Sequence, residues 1–141
     1  MKLLINLIFC YLLFTVFFIS CQNKTKNLLA KKWDCVQVDN IVPPGTKFQS
    51  PEDSVSAVQL QSVVESINWT FKKNMRYECA INSRVTVQGK YQLLEDDKII
   101  VCTSESKNSI NRYIIKSLTE NELVLSSGAQ STSVVLHFKP H

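Results

Sequence analysis

The chain has 141 residues, 45% of them hydrophobic and 20% charged, and a formal net charge of +4. Its basic residues are scattered along the chain and not gathered in runs, so the sequence carries no nucleic-acid-binding patch. The length suits a single domain with a real core.

The first element is residues 3–19, apolar except for Asn6, Cys10 and Thr15, which must meet a membrane. A spanning helix needs about 20 apolar residues, and a secretory signal needs a basic start, a shorter apolar core and small residues before the cut. The length alone leaves a cleaved signal and an uncleaved anchor both open. The ending Phe18-Ile19-Ser20-Cys21 resembles the lipobox of bacterial lipoproteins, in which two apolar or small residues and a Gly, Ala or Ser precede an invariant cysteine. Phe18 stands where leucine is usual. The resemblance implies that residues 1–20 are a lipoprotein signal peptide and that Cys21 becomes the first residue of the mature chain. The Cys21 sulfur would take a diacylglycerol thioether, and several acyl chains, palmitate among them, anchor stably where one is reversible. Gln22 follows, and not the aspartate that often retains lipoproteins in the inner membrane, so the outer membrane is the implied destination, on either its periplasmic or its surface face.

Taking residues 1–20 from 141 leaves 121, and without Lys2 the 15 Lys and Arg against 12 Asp and Glu give +3. Residues 21–27 read as a short lipidated tether, polar and unpatterned as far as Lys26. Residues 28–141 read as the folded domain.

Period-two alternation then predicts eight short strands. Residues 33–38 form the first. In 67–71, Ile67, Trp69 and Phe71 share one face. After a turn at residues 72–74, Met75, Tyr77, Cys79 and Ile81 alternate with Arg76, Glu78 and Asn82, the pattern of a strand wet on one side. In 84–91, Val85, Val87 and Tyr91 are expected inward, with Arg84, Thr86, Gln88 and Lys90 outward. Residues 98–103 form a strand whose inward parity is undefined because Ile99, Ile100 and Val101 run together. Three more follow, presenting Tyr113 and Ile115, then Leu123 and Leu125, then Val134, Leu136 and Phe138. Short strands joined by tight sequential hairpins predict an all-β, up-and-down antiparallel barrel, since eight strands lose their edges by closing.

Residues 39–65 break the rhythm. Pro43-Pro44-Gly45 makes a rigid turn, and Ser50-Pro51-Glu52-Asp53 has the form of a helix start: a hydroxyl N-cap, proline at the first helical position and acids in the first turn. A short helix here would cover a barrel mouth or pack outside it.

The order of these features resembles the lipocalin-like domain of small Gram-negative lipoproteins. Leu29-Ala30-Lys31-Lys32-Trp33 carries the first-strand tryptophan, with Lys31 where the pattern has glycine. Asn68-Trp69-Thr70-Phe71-Lys72-Lys73-Asn74-Met75 follows the insertion, and Gly89-Lys90-Tyr91 precedes an acidic turn. Tyr113-Ile114-Ile115, Leu118-Thr119 and Glu122-Leu123-Val124-Leu125 come near the end. The resemblance implies a small apolar ligand held inside the barrel, though such a likeness fixes fold better than function.

Converging catalytic groups are not evident, and the chain is expected not to be an enzyme and to need no cofactor or metal. His137 falls on the outward face of the last strand and His141 ends the chain. Glu95-Asp96-Asp97 lacks the spaced oxygens of a calcium loop and reads as a solvated turn. No Gly-x-Ser-x-Gly, His-Glu-x-x-His or phosphate loop occurs. Cys35, Cys79 and Cys102 fall on the first, third and fifth strands. Next-nearest strands stand about 9.6 Å apart, beyond disulfide reach, so buried thiols are expected.

The candidate site is therefore the interior, with Trp33, Trp69, Phe71, Tyr77, Tyr91, Tyr113 and Phe138 as its lining. A barrel of this size is either filled by such side chains or holds one small ligand. The first case gives a monomeric interaction or inhibitor protein of the envelope, the second a carrier of a small apolar molecule. Arg112 has outward parity, and only a bulge would turn it in to pair a carboxylate.

Overall fold

The computed structural model describes residues 24–42, 51–106 and 108–141, with no side chains described at 51–54 and 56–58. The apolar segment 1–20, Cys21 and the expected N-cap Ser50 lie outside these residues. Among the described residues no helix is long and apolar enough to cross a membrane.

A short helix α1 (residues 24–29) opens the structure, so helix begins inside the stretch expected to be tether. Then come β1 (Lys32–Asp39), α2 (Pro51–Glu65), β2 (Ile67–Phe71), β3 (Arg76–Ile81), β4 (Arg84–Leu94), β5 (Ile99–Ser104), β6 (Ile110–Leu118), β7 (Leu123–Ser126) and β8 (Val135–Pro140). Each strand pairs antiparallel with the next, and β8 pairs back onto β1, closing the barrel. All eight expected strands and the helix in the insertion are present, in an up-and-down order that leaves no open sheet edge.

The register assigns the faces that alternation left open. Tyr91 pairs with Cys102 and Leu93 with Ile100, so β5 turns Ile100, Cys102 and Ser104 inward. One expectation is corrected in β4. Cys79 pairs with Val87 but Ala80 with Val85, leaving Thr86 as an extra residue. A bulge of this kind exchanges the faces beyond it. Val85 is therefore 52% exposed, and Arg84, expected outward, shares the inward parity of its partner Ile81 at the end of the barrel. Irregularities also fall at Val36 in β1 and Lys116 in β6. Neither lies beside Arg112, which pairs with Val101 on the outer face and is exposed.

The two ends of the barrel differ. At the base, α1 delivers Leu29, fully buried, beneath Trp33, whose indole Nε1–H donates to the Leu29 carbonyl at 2.9 Å. Lys31 takes the place of the expected glycine without opening a gap. Its Nζ lies 5.1 Å from the Trp33 ring centroid and donates to the Glu120 carbonyl, while its own carbonyl accepts from the Phe71 amide. The opposite end, the rim, carries the β1–β2 insertion. There α2 packs beside β1. Val64 rests against the core, whereas Val55, Leu60 and Val63 stay exposed.

Candidate functional site in the barrel interior

All seven aromatic residues expected to line the interior belong to the core or pack directly against it. They form two layers. Nearest the base, Trp33, Phe71 and Tyr91 are at most 1% exposed. The Phe71 and Tyr91 rings meet edge to face at 5.1 Å, and the Tyr91 hydroxyl donates to the Lys72 carbonyl at 3.1 Å. Above them Trp69 is the hub of the second layer. Its ring lies 5.0 Å from Tyr113 in a T-shaped contact, 6.1 Å from Phe138 and 6.2 Å from Tyr77. Because β2 and β6 stand opposite each other in the barrel, the contact between Trp69 and Tyr113 bridges the lumen.

Between this bridge and the rim the lining changes character. Tyr113, Cys79, Val87 and Ile67 are only half-buried. Burial raises the Tyr77 and Tyr113 hydroxyls to about 12, with Cys102 and Cys79 nearby adding to the effect. Burial likewise raises the thiols of Cys35 to about 11 and Cys102 to about 12, and raises that of Cys79. All three cysteines are free. Neutral, protonated thiols are poor nucleophiles and poor metal ligands. Among the described residues no three of His, Cys, Asp and Glu converge as a metal site.

The histidines belong to the outer wall. His137 Nε2 lies 2.7 Å from Asp39 Oδ2, and the Gln37 amide and His137 hold the Asp39 carboxyl below its ordinary value. His141 Nδ1 lies 2.8 Å from Asp34 Oδ2, whose other oxygen accepts from Asn68. These pairs fasten β1 to β8 and β2 across the barrel's closing seam. The sequence foretold the outward face of His137 but not its partner. Glu95, Asp96 and Asp97 form a turn in which all three residues have positive φ, 52°, 54° and 64°.

Sequence reasoning missed one feature of the interior. Trp69 Nε1 is buried and has no hydrogen-bond partner. Alternation showed that Trp69 faces inward, but whether its donor is met depends on neighbours from β3, β6 and β8.

A closed eight-stranded antiparallel barrel with a sealed base and an aromatic lumen has the lipocalin-like architecture. Solved structures agree. A lipocalin-like protein from Bacteroides uniformis superposes with a TM-score of 0.52 at 16% identity, covering 81% of this chain and 99% of its own. A DUF4847 family protein from Bacteroides vulgatus gives 0.51 at 12% identity, with 79% and 93% covered. An uncharacterized protein from Bacteroides eggerthii gives 0.52 at 15%, with 80% and 99% covered. No protein-family model and no curated protein sequence matches the chain. At such identities the likeness establishes the fold alone.

Proposed function

We propose that this is a non-enzymatic, monomeric binding protein of the bacterial cell envelope, tethered by an acylated Cys21, that holds one small apolar molecule in its barrel. The ligand would occupy the lumen between the bridge of Trp69 and Tyr113 and the rim. The observation that carries this reading is the contrast between the ends: the base is packed shut by Leu29, Trp33, Phe71 and Tyr91, while Tyr113, Cys79 and Val87 toward the rim remain half-buried. An apolar barrel interior packed shut at one end and less deeply buried at the other suits a small-molecule site.

The anchor rests on the lipobox-like sequence ending at Cys21. Because α1 is under way by residue 24, a lipid on Cys21 would hold the sealed base toward the bilayer and turn the rim away. Gln22 after Cys21, in place of an aspartate, supports outer-membrane delivery.

Native mass spectrometry of the full chain, extracted from membranes in mild detergent, tests both parts. The expected spectrum shows the acyl-modified protein lacking residues 1–20, with a small apolar adduct that leaves on activation. Cys21→Ser should abolish palmitate incorporation and membrane fractionation. Retention of residues 1–20 in the purified protein would instead support the uncleaved anchor. A second reading, an interaction or inhibitor protein with a filled barrel, is favoured by the exposed Val55, Leu60 and Val63 of α2 and by Ile110, 66% exposed, at the same end. Adduct-free protein that co-purifies with an envelope protein would support that reading.

A further inference from the structure

We infer that the ligand is an uncharged molecule whose hydrogen-bond acceptor, a carbonyl or ester oxygen, meets the indole N–H of Trp69. The inference rests on the binding function proposed above and specifies its chemistry. Trp69 is 6% exposed, and its Nε1 is buried without a partner. Buried donors in folded proteins are nearly always met by an acceptor. Within this barrel the rule is otherwise kept, since the Trp33 indole donates to Leu29 and the Tyr91 hydroxyl to Lys72. The base layer thus satisfies its own donors, and the layer facing the lumen presents, among the described residues, a fully buried donor unmet.

Charge decides the class of acceptor. No Lys or Arg is among the buried side chains. Arg112 lies on the outer face, and Arg84 has inward parity only at the exposed rim. Glu105 acts on Tyr77 and Glu65 on Cys35, and the Arg76 guanidinium, 3.0 Å from Glu105, is already paired by that carboxylate. A carboxylate beside Trp69 would therefore be stripped of water with no cation to pair it, which is strongly unfavourable. A neutral oxygen needs only one or two donors, and the Tyr113 and Tyr77 hydroxyls stand in the same layer as Trp69. Aromatic walls also suit a flat or slender apolar body.

Full-length protein, freed of endogenous ligand and labelled with 15N at tryptophan, is titrated with methyl decanoate, decanoate and undecane, a neutral ester, its acid and a hydrocarbon of similar length. The expected result is that the ester binds most tightly and moves the Trp69 indole proton downfield while leaving the Trp33 signal in place. Trp69→Phe should weaken the ester about tenfold, the worth of one buried hydrogen bond, and change undecane less than twofold. If that variant fails to fold, the wild-type indole shift still decides. Tighter binding of decanoate, lost in Arg84→Ala, would overturn the inference while leaving a ligand-binding barrel intact. Ester binding with an unmoved Trp69 signal would overturn it as well. If none of the three probes binds and the purified protein carries no adduct, the binding function itself fails, and this inference with it.

Discussion

At the scale of single residues, close backbone approach constrains the barrel at Gly89. Gly89 pairs with Tyr77 on one side and Ser104 on the other. A Cβ there would overlap the Thr103 carbonyl oxygen and stand 2.9 Å from its carbon. These are backbone atoms of β5, which cannot rotate away, so Gly89→Ala should cost about 3 kcal/mol, the upper range of overpacking, read as a fall in urea midpoint at unchanged m-value. Gly128→Ala is the natural contrast. Its Cβ would meet the Ser133 hydroxyl oxygen at 2.7 Å, a side-chain atom that can rotate away. That variant should lose less than about 1 kcal/mol. Equal losses at the two positions would show that packing around β4 and β5 is looser than the register implies. Lys31 teaches the converse. Glycine was expected there by family likeness, yet the residue serves through its carbonyl and its long stem, which lies against Trp33.

At the scale of elements, the hairpin turns show where the sequence departs from its own best local choice. Asn82 and Ser83 join β3 to β4 with φ of 49° and 66°, so both occupy the left-handed region of a two-residue turn. Asparagine tolerates this and serine does so less readily. Ser83→Gly should therefore stabilise the protein by up to about 1 kcal/mol and raise Tm by a few degrees, whereas Ser83→Ala should do neither. A lower Tm for the glycine variant would mean that the serine contributes a contact worth more than the strain. Strands β2, β3 and β6 were readable because one face alternates cleanly, and α2 because proline and acids mark its start. Val85 was misread because the bulge at Thr86 adds a residue that leaves no mark in composition. The parity of β5 was unreadable because Ile99 and Val101, on the outer wall, are themselves half-buried. The unmet donor on Trp69 was beyond reach for a different reason: it depends on which rings from three other strands surround it.

At the scale of the whole molecule, closure gathers titratable groups into one interior that must stay neutral, and alkaline pH tests that directly. In the unfolded chain the cysteines and tyrosines titrate near 9 and 10, whereas in the barrel Cys35 is raised to about 11 and Cys102, Tyr77 and Tyr113 to about 12. Raised values mean that the folded state holds these protons when the unfolded chain has released them. Their contribution is therefore fully present below about pH 9 and is lost as pH rises from there towards 12. Within that window each group can cost up to about 1.4 kcal/mol per pH unit, and four groups acting together can exhaust the stability of a small domain. The urea midpoint should accordingly hold steady to about pH 9 and then fall ever more steeply. Tyrosinate absorbance from Tyr77 and Tyr113 should appear in one cooperative step with the loss of far-UV circular dichroism, well above the pH at which free tyrosine ionises. Smooth ionisation near pH 10 with the barrel intact would mean that water already reaches these hydroxyls, and the lumen would then be a wet channel instead of a dry site for an apolar molecule. If the lumen holds its ligand, saturating amounts should move the cooperative step to higher pH, because the ligand binds only the folded, neutral form.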